Sequence, residues 1–454
     1  MAETIKLKKG FNINLAGKAD KKTSGNPLPK TYAIKPTDFK DILRPKSLVA
    51  EGDIVKAGTP ILIDKKKEEI LFTSPVSGEV VAVNRGDKRK LLEIVILADE
   101  KLTYEKFPAY SVSDLTSLTK EKALESLLKS GVWPNIIQRP FGVIANPTDS
   151  PKSIFISAFD TSPLAPDYDY LLKGQERYFQ AGVDVLKKFT SGQIFVNYNA
   201  ESEVSPVFSK AKGVKLTGFS GPHPAGNVGV QIHHLDPIGK GDIVWTVNPV
   251  GVVQIGKLFL EGIYDASKIV ALAGSEVKNP QYYRTYTGGC IDALVGNNVT
   301  GEDLRYISGN VLSGERITGK GFIGYYDNMI TVIPEGGQFE FMGWLRPITN
   351  RVSFQRAFGL LSFLNPNKEY KLDTNTRGEA RAFVQTGVFE KVMPMDILPT
   401  FLIKAILAED YDEMEALGIF EVVEEDLALC EFIDVSKHEI QDIIRKGINL
   451  IQYS

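Results

Sequence analysis

Along this chain the spacing of apolar residues alternates between a period near two and a period near 3.6, and each change marks a new element. Between Glu51 and Val83 the apolar runs are short and β-branched, punctuated by Gly52-Asp53, Gly58 and Pro75-Val76-Ser77-Gly78. That pattern predicts tight strands joined by turns. Residues 120–129 carry Leu124, Leu127 and Leu128 on one stripe with Gly131 as a stop, which predicts a helix. From 153 to 219 the type alternates: strand 153–159, helix 168–189, strand 193–197, helix 202–212, strand 213–219. Strand, helix and strand follow again at 242–248, 250–262 and 268–273. Strands separated by helices of that length predict a parallel sheet built by right-handed crossovers. The stretch 278–337, rich in Gly, Tyr and Thr, predicts a small separate β-grasp or similar α+β unit. Beyond Met393 the period is helical: Leu398, Phe401, Leu402, Ala405 and Ile406 share one face, as do Ile440, Ile443, Ile444 and Ile451. A helical bundle is expected to close the chain.

The first β unit has the layout of a biotinyl/lipoyl-type swinging-arm module, a small barrel-sandwich. In such carriers the acceptor lysine sits at a hairpin tip between small apolar neighbours, several residues before a Pro. Lys67 falls at the matching place before Pro75, but its neighbours are Lys66 and Glu68 within the run KKKEE. The apolar rim that a modifying ligase recognises is missing, so a solvated, unmodified hairpin tip is expected.

Composition narrows the class. A chain of 454 residues exceeds one core and suggests three or four domains. With 24% charged residues, 43% apolar residues and a formal charge of -3, it has no basic bias toward nucleic acid. Two cysteines, Cys290 and Cys430, are too few for a disulfide framework or an all-cysteine iron-sulfur site. The N-terminal lysines precede no apolar h-region, so no secretory signal is expected. No apolar run reaches the roughly 18 residues of a spanning helix. The nearest, 243–260, is broken by Asn248, Pro249, Gln254 and Lys257.

Candidate chemistry is sparse. A dinucleotide fold wants G-x-G-x-x-G directly between strand and helix. No strand here is followed by that spacing. The nearest Gly-rich stretch, 218–229, has two prolines beside His223, which argues against immediate helix entry. This loop reads either as a structural turn or as a ligand-contacting loop. His233 and His234, if on a strand, point to opposite faces and do not share one metal. Glu409, Asp410, Asp412, Glu413 and Glu415, followed by Glu424, Glu425 and Asp426, read as solvated helix faces. Tyr282, Tyr283 and Tyr286 with Arg284 form either a partner surface or a local core.

Four unusual strings occur in order: GVWPNIIQRPFG at 131–142, SAFDTSPLAPD at 157–167, FSGPHPAGNVG at 219–229 and HHLDPIGKGD at 233–242. With the order of units, they make the chain resemble, from end to end, the A subunit of the sodium-translocating NADH:quinone oxidoreductases. The resemblance implies a peripheral component on the cytoplasmic face of a bacterial membrane complex of six subunits. The other five, chiefly the membrane-embedded B subunit, are the implied partners. The complex passes electrons from NADH through FAD, FMN, riboflavin and iron-sulfur centres to ubiquinone-type quinone while sodium is exported. The architecture is also similar to the flavin-binding subunit of respiratory complex I and the C subunit of the Rnf complex. Those relatives carry a Gly-rich flavin-phosphate cradle of the kind G-x-G-G-A-G-F-P-T, where this chain has Trp133, Pro134 and β-branched residues. Their C-terminal cluster cysteines often end C-x-x-x-C-P. Here Cys430 is kept and Asp434 stands in the second place, which leaves one thiolate and no basis for a cluster.

The expected protein is thus multidomain α/β: a barrel-sandwich over 1–100, a Rossmann-like parallel sheet over 101–277, a β-grasp (SLBB-like) unit over 278–337 and a C-terminal part ending in a helical bundle over 338–454. It is expected to bind no redox cofactor and no metal itself. Any quinone contact is expected on the loop after strand 213–219, with Ser220, His223 and the amides of Gly221 and Gly226 as donors and Phe219 beside the ring; the competing reading of this place is a vestigial flavin pocket filled by side chains. The competing expectation is a flavin- or NADH-binding electron-input component like the complex I relative. A free-standing biotin or lipoate carrier is the third, disfavoured by the neighbours of Lys67.

Overall fold

A computed structural model describes residues 3–25, 28–337, 352, 354, 367–383 and 387–453. Its strands form four sheets. Strands Thr31–Ile34, Leu91–Ala98, Gly78–Arg85 and Ile54–Val55 form a four-stranded sheet, and Pro45–Ser47, Pro60–Asp64 and Lys67–Thr73 a three-stranded one. Tyr32, Ile61, Val80, Ile94 and Ile96 are buried within this unit, following the period-two alternation of the sequence.

A seven-stranded sheet runs in the order Glu3–Lys6, Lys215–Ser220, Gln193–Asn199, Ser153–Ser157, Val244–Val247, Ile136–Arg139, Val143–Ile144. The first five are mutually parallel, the sixth is antiparallel to the fifth, and the seventh is antiparallel to the sixth. The 153–157 strand, SIFIS, is buried almost throughout, as expected for a parallel strand covered on both sides. Helices Glu176–Leu186 and Pro249–Glu261 pack closely because Gly182 and Gly256 face each other's backbones. A Cβ on Gly256 falls 1.8 Å from the Tyr178 carbonyl oxygen, and one on Gly182 falls 2.1 Å from that of Val252.

Several expected elements are redrawn. The helix expected over 168–189 is two, Tyr168–Leu171 and Glu176–Leu186, separated where Gly174 takes φ +81°. The helix expected over 202–212 contracts to Pro206–Ser209, because proline, lacking an N–H, is tolerated only in the first turn. The strand Ser267–Ala273 leaves the parallel sheet and enters a six-stranded one, antiparallel to Gln281–Tyr286 and parallel to Met329–Pro334. Glu3–Lys6 and Asp20–Thr23 also join the seven- and six-stranded sheets, although both precede the first β unit. The six-stranded sheet separates two cores: Tyr282 is buried in one and its neighbour Tyr283 in the other. The local-core reading of the tyrosine cluster holds for these two.

The C-terminal helices Pro399–Ala408, Tyr411–Ala416, Glu424–Ile433 and Ile440–Gln452 bury Leu402, Ile403, Ala405, Ile406, Ile440, Ile444 and Ile448. The expected face is rotated on the first of them. Leu398 and Phe401 lie outside it, each 50% exposed.

Candidate functional site

The four central parallel strands stand side by side in the chain order third, second, first, fourth. Connections from the first strand therefore leave on one side and those to the fourth on the other, opening a crevice at the carboxyl ends of Ser153–Ser157 and Val244–Val247. A cleft of about 450 Å³ lies there, walled by Ser157, Phe159 and Asp160 after the first strand and by Asn248 and Pro249 after the fourth. Arg139 of the same sheet completes it, together with Lys40, Tyr326, Glu424 and Glu425 from the other units.

The candidate loop reaches this crevice only in part. Phe219 is fully buried in the core, its ring edge-on to His234 at 6.3 Å, so it does not flank a ligand there. The Ser220 carbonyl accepts from the Leu7 N–H at 2.8 Å, and Ser220 does not line the cleft. Gly221 borders a second cleft of about 520 Å³, and a Cβ on it falls 2.5 Å from the Leu7 carbonyl oxygen. Gly226 lines the switch-point cleft, but its N–H already donates to Thr161 Oγ1 at 2.9 Å. The prolines did not block helix entry: the helix Val228–Leu235 starts directly after the loop.

His223 is the exception. It is 4% exposed and lines the cleft. Its backbone N–H donates to Asn12 Oδ1 at 2.8 Å and its carbonyl accepts from the Phe11 N–H at 2.8 Å. Thr161 Oγ1 lies 3.1 Å from His223 Nδ1. Thr161 Oγ1 also accepts the Gly226 N–H, so this hydroxyl ties the imidazole to the loop backbone, and the neutral ring carries a single N–H whose position follows its tautomer. Burial holds the imidazole down at about 4, so it is neutral at pH 7 and presents one N–H donor. Nearby, the Tyr168 hydroxyl accepts from Asn248 Nδ2 at 2.7 Å, while Asn248 Oδ1 caps the helix Pro249–Glu261 through the Val250 N–H.

Carboxylates outnumber cations in the cleft wall. Asp38, Asp160, Asp327, Glu424 and Glu425 face Lys40 and Arg139. Burial, only partly offset by Lys35, lifts Asp38 to about 6. Arg139, itself buried, is occupied by Asp426 at 3.1 Å and Glu425 at 2.7 Å. Such a wall disfavours a phosphate, and a neutral ligand with acceptor oxygens has to draw on the few donors in it.

This network corrects the reading of 424–426 as solvated. Asp426 is 2% exposed, and Glu424 is held by Lys40 and Arg445. Charge runs are recognised by composition, and nothing local reveals partners hundreds of residues away. His233 and His234 sit on a helix, not a strand. His233 Nδ1 lies 2.6 Å from Glu421 Oε2 and its Nε2 accepts from the Asp396 N–H at 3.1 Å, so both nitrogens hold the fold. Among the described residues no group of three or more His, Cys, Asp or Glu is placed to hold a metal ion, and no helix is long and apolar enough to cross a membrane.

The sequence matches three family domain models: the NqrA N-terminal barrel-sandwich hybrid domain over residues 5–99, the NqrA second alpha/beta domain over 118–264 and the NQRA C-terminal domain over 269–319. It is 38% identical over 449 residues to the A subunit of the Na(+)-translocating NADH-quinone reductase of Alcanivorax borkumensis, covering 99% of both chains. The chain belongs to this NqrA family. The Rhodopirellula baltica member is 37% identical over 98% of both chains, and that of Neisseria meningitidis serogroup B 36% over 99%. Among solved structures, an NAD+-reducing [NiFe]-hydrogenase is similar at 11% identity over 78% of this chain and 67% of that one, with a TM-score of 0.37, too slight to bear on function.

In this NqrA-family chain the segment around Trp133 is packed into the core. Trp133 is fully buried, its Nε1 donates to the Ala145 carbonyl at 2.8 Å, and its ring meets Trp245 edge-on at 5.5 Å. Cys430 is 1% exposed, with its thiol pushed well up by burial. Lys67 is not a free tip: it forms an ion pair with the buried Asp41.

Proposed function

We propose that this chain is a non-redox component of a Na+-translocating NADH:quinone reductase, peripheral on the cytoplasmic face of the membrane and held there by the other five subunits, chiefly the membrane-embedded B subunit. The complex oxidises NADH, reduces a ubiquinone-type quinone and exports Na+. FAD, FMN, riboflavin and iron-sulfur centres belong, on this reading, to the partners. The observation that carries it is the end-to-end similarity to NqrA proteins, 38% identical over 99% of the chain. The finer divisions follow the sequence pattern: a biotinyl/lipoyl-like unit, a Rossmann-like unit, an SLBB-like β-grasp unit and a C-terminal helical bundle, related to the flavin-binding component of complex I and the C component of Rnf.

Within that role the switch-point cleft takes a quinone headgroup or an inhibitor. A headgroup presents two carbonyl oxygens, and the neutral His223 imidazole brings one N–H to the lining of a partly apolar cavity. The excess of carboxylates and the filling of the flavin-cradle position by Trp133 count against the electron-input alternative. The test is His223→Ala in the assembled complex. The expected result is normal assembly with a several-fold rise in the quinone KM or in the inhibitor concentration needed. Unchanged values with normal assembly remove the quinone contact, and a flavin retained stoichiometrically by the purified chain overturns the non-redox reading.

A further inference from the structure

The helix Pro399–Ala408 has a buried side, Leu402, Ile403, Ala405 and Ile406, and an outer side that no described element covers. On that outer side Leu398 and Phe401 are each 50% exposed and Leu407 49%, with Tyr411 at 41% opening the next helix. Phe401, Lys404 and Leu407 follow at steps of three along the helix, Leu398 precedes it as the N-cap, and Tyr411 lies beyond the left-handed Glu409. Singly exposed apolar residues are ordinary, but four large ones within the fourteen residues 398–411 mark an interaction surface.

Charge says what kind of partner fits. Glu409 and Glu415 around the stripe are neutralised by Lys446 and Lys240. Exposed Asp396, Asp412 and Glu413 have no ion-pair partner among the described residues, against one cation, Lys404. An apolar strip edged by excess carboxylate is complementary to an amphipathic helix whose apolar face is flanked by Lys and Arg. Segments of membrane proteins at the cytoplasmic surface carry that composition.

We propose that the stripe Leu398, Phe401, Leu407 and Tyr411 docks a basic amphipathic segment of a membrane-embedded partner. This rests on the reading of the chain as a peripheral member of the complex. The stripe then places the C-terminal helices toward the membrane partner.

The experiment is purification of the complex from detergent-extracted membranes through a tag on this chain, with wild type, a Phe401→Glu/Leu407→Glu double variant and an Asp412→Lys/Glu413→Lys double variant. All positions are exposed, and circular dichroism melts check that each variant folds as wild type does. Expected are a tenfold or greater loss of the integral subunits with the first variant and a smaller loss with the second. Raising salt should release the subunits from wild type more than from the charge-reversed variant. Full retention of the integral subunits by the folded Phe401→Glu/Leu407→Glu variant overturns the proposal. So does a concentration-dependent dimer of wild type that this variant abolishes. If wild type retains no integral subunits, the peripheral-member reading itself fails.

Discussion

Nη1 of Arg139 lies 3.1 Å from Oδ2 of Asp426, a pair 287 residues apart in sequence and nearly sealed from water, with side chains 4% and 0% exposed. The second guanidinium branch holds Glu425 at 2.7 Å. One arginine at the end of an antiparallel strand thus ties the α/β sheet to the first turn of a C-terminal helix, along the wall of the cleft.

Removing one partner of this pair strands the other charge in the interior. Arg139→Met is expected to cost about 3–5 kcal/mol, as for other broken buried pairs. Adding Asp426→Leu should recover part of that loss. Thermal melts of the single and double variants test this, and additive losses would show that the pair is not coupled.

Glu424 sets an acid limit. Burial opposes its ionisation, but Arg445 and Lys40 outweigh it and hold the carboxyl at about 2, down from 4.5. A lowered folded value contributes stability that is fully present above pH 4.5 and is lost as pH falls toward 2. The contribution is on the order of 3 kcal/mol. Glu424→Gln should be less stable than wild type at pH 6, with the difference shrinking between pH 4.5 and 2.5. A pH-independent difference in melting temperature contradicts this assignment.

Close approach of two helices rests on Gly256. A methyl there meets the Tyr178 carbonyl oxygen at 1.8 Å, so Gly256→Ala is expected to destabilise by about 1–3 kcal/mol through forced separation. Gly239→Ala is the control, since its nearest neighbour, Asp242 Oδ2, lies at 3.6 Å. Equal melting temperatures for the two variants would remove the packing argument.

Lys67 occupies the position of a carrier lysine but is paired with Asp41, whose other oxygen accepts from the Tyr453 hydroxyl at 3.0 Å. Intact mass spectrometry of the chain from its native host is expected to show no biotin- or lipoate-sized addition. Lys67→Met is expected to cost about 1–3 kcal/mol by leaving the buried Asp41 short of a partner. A mass shift at Lys67 would instead restore the carrier function.

What the sequence by itself determined is local. Period-two runs located the strands of the first β unit, the alternation from 153 to 262 announced the parallel sheet, and Gly131 ended its helix at φ +77° as expected. Unusual strings identified the family, because such motifs need no partner to be recognised. Tertiary structure decided what depends on distant neighbours. It sent Ser267–Ala273 to another sheet, brought Glu3–Lys6 beside Lys215–Ser220, and turned Phe401 outward. It also moved the crevice from the strand before His223 to the gap between the first and fourth strands, leaving His223 as the one predicted side-chain donor that lines it. Strand order and ion pairing are set by which surfaces bury one another, and the periodicity of a single segment carries no record of the surface it will meet.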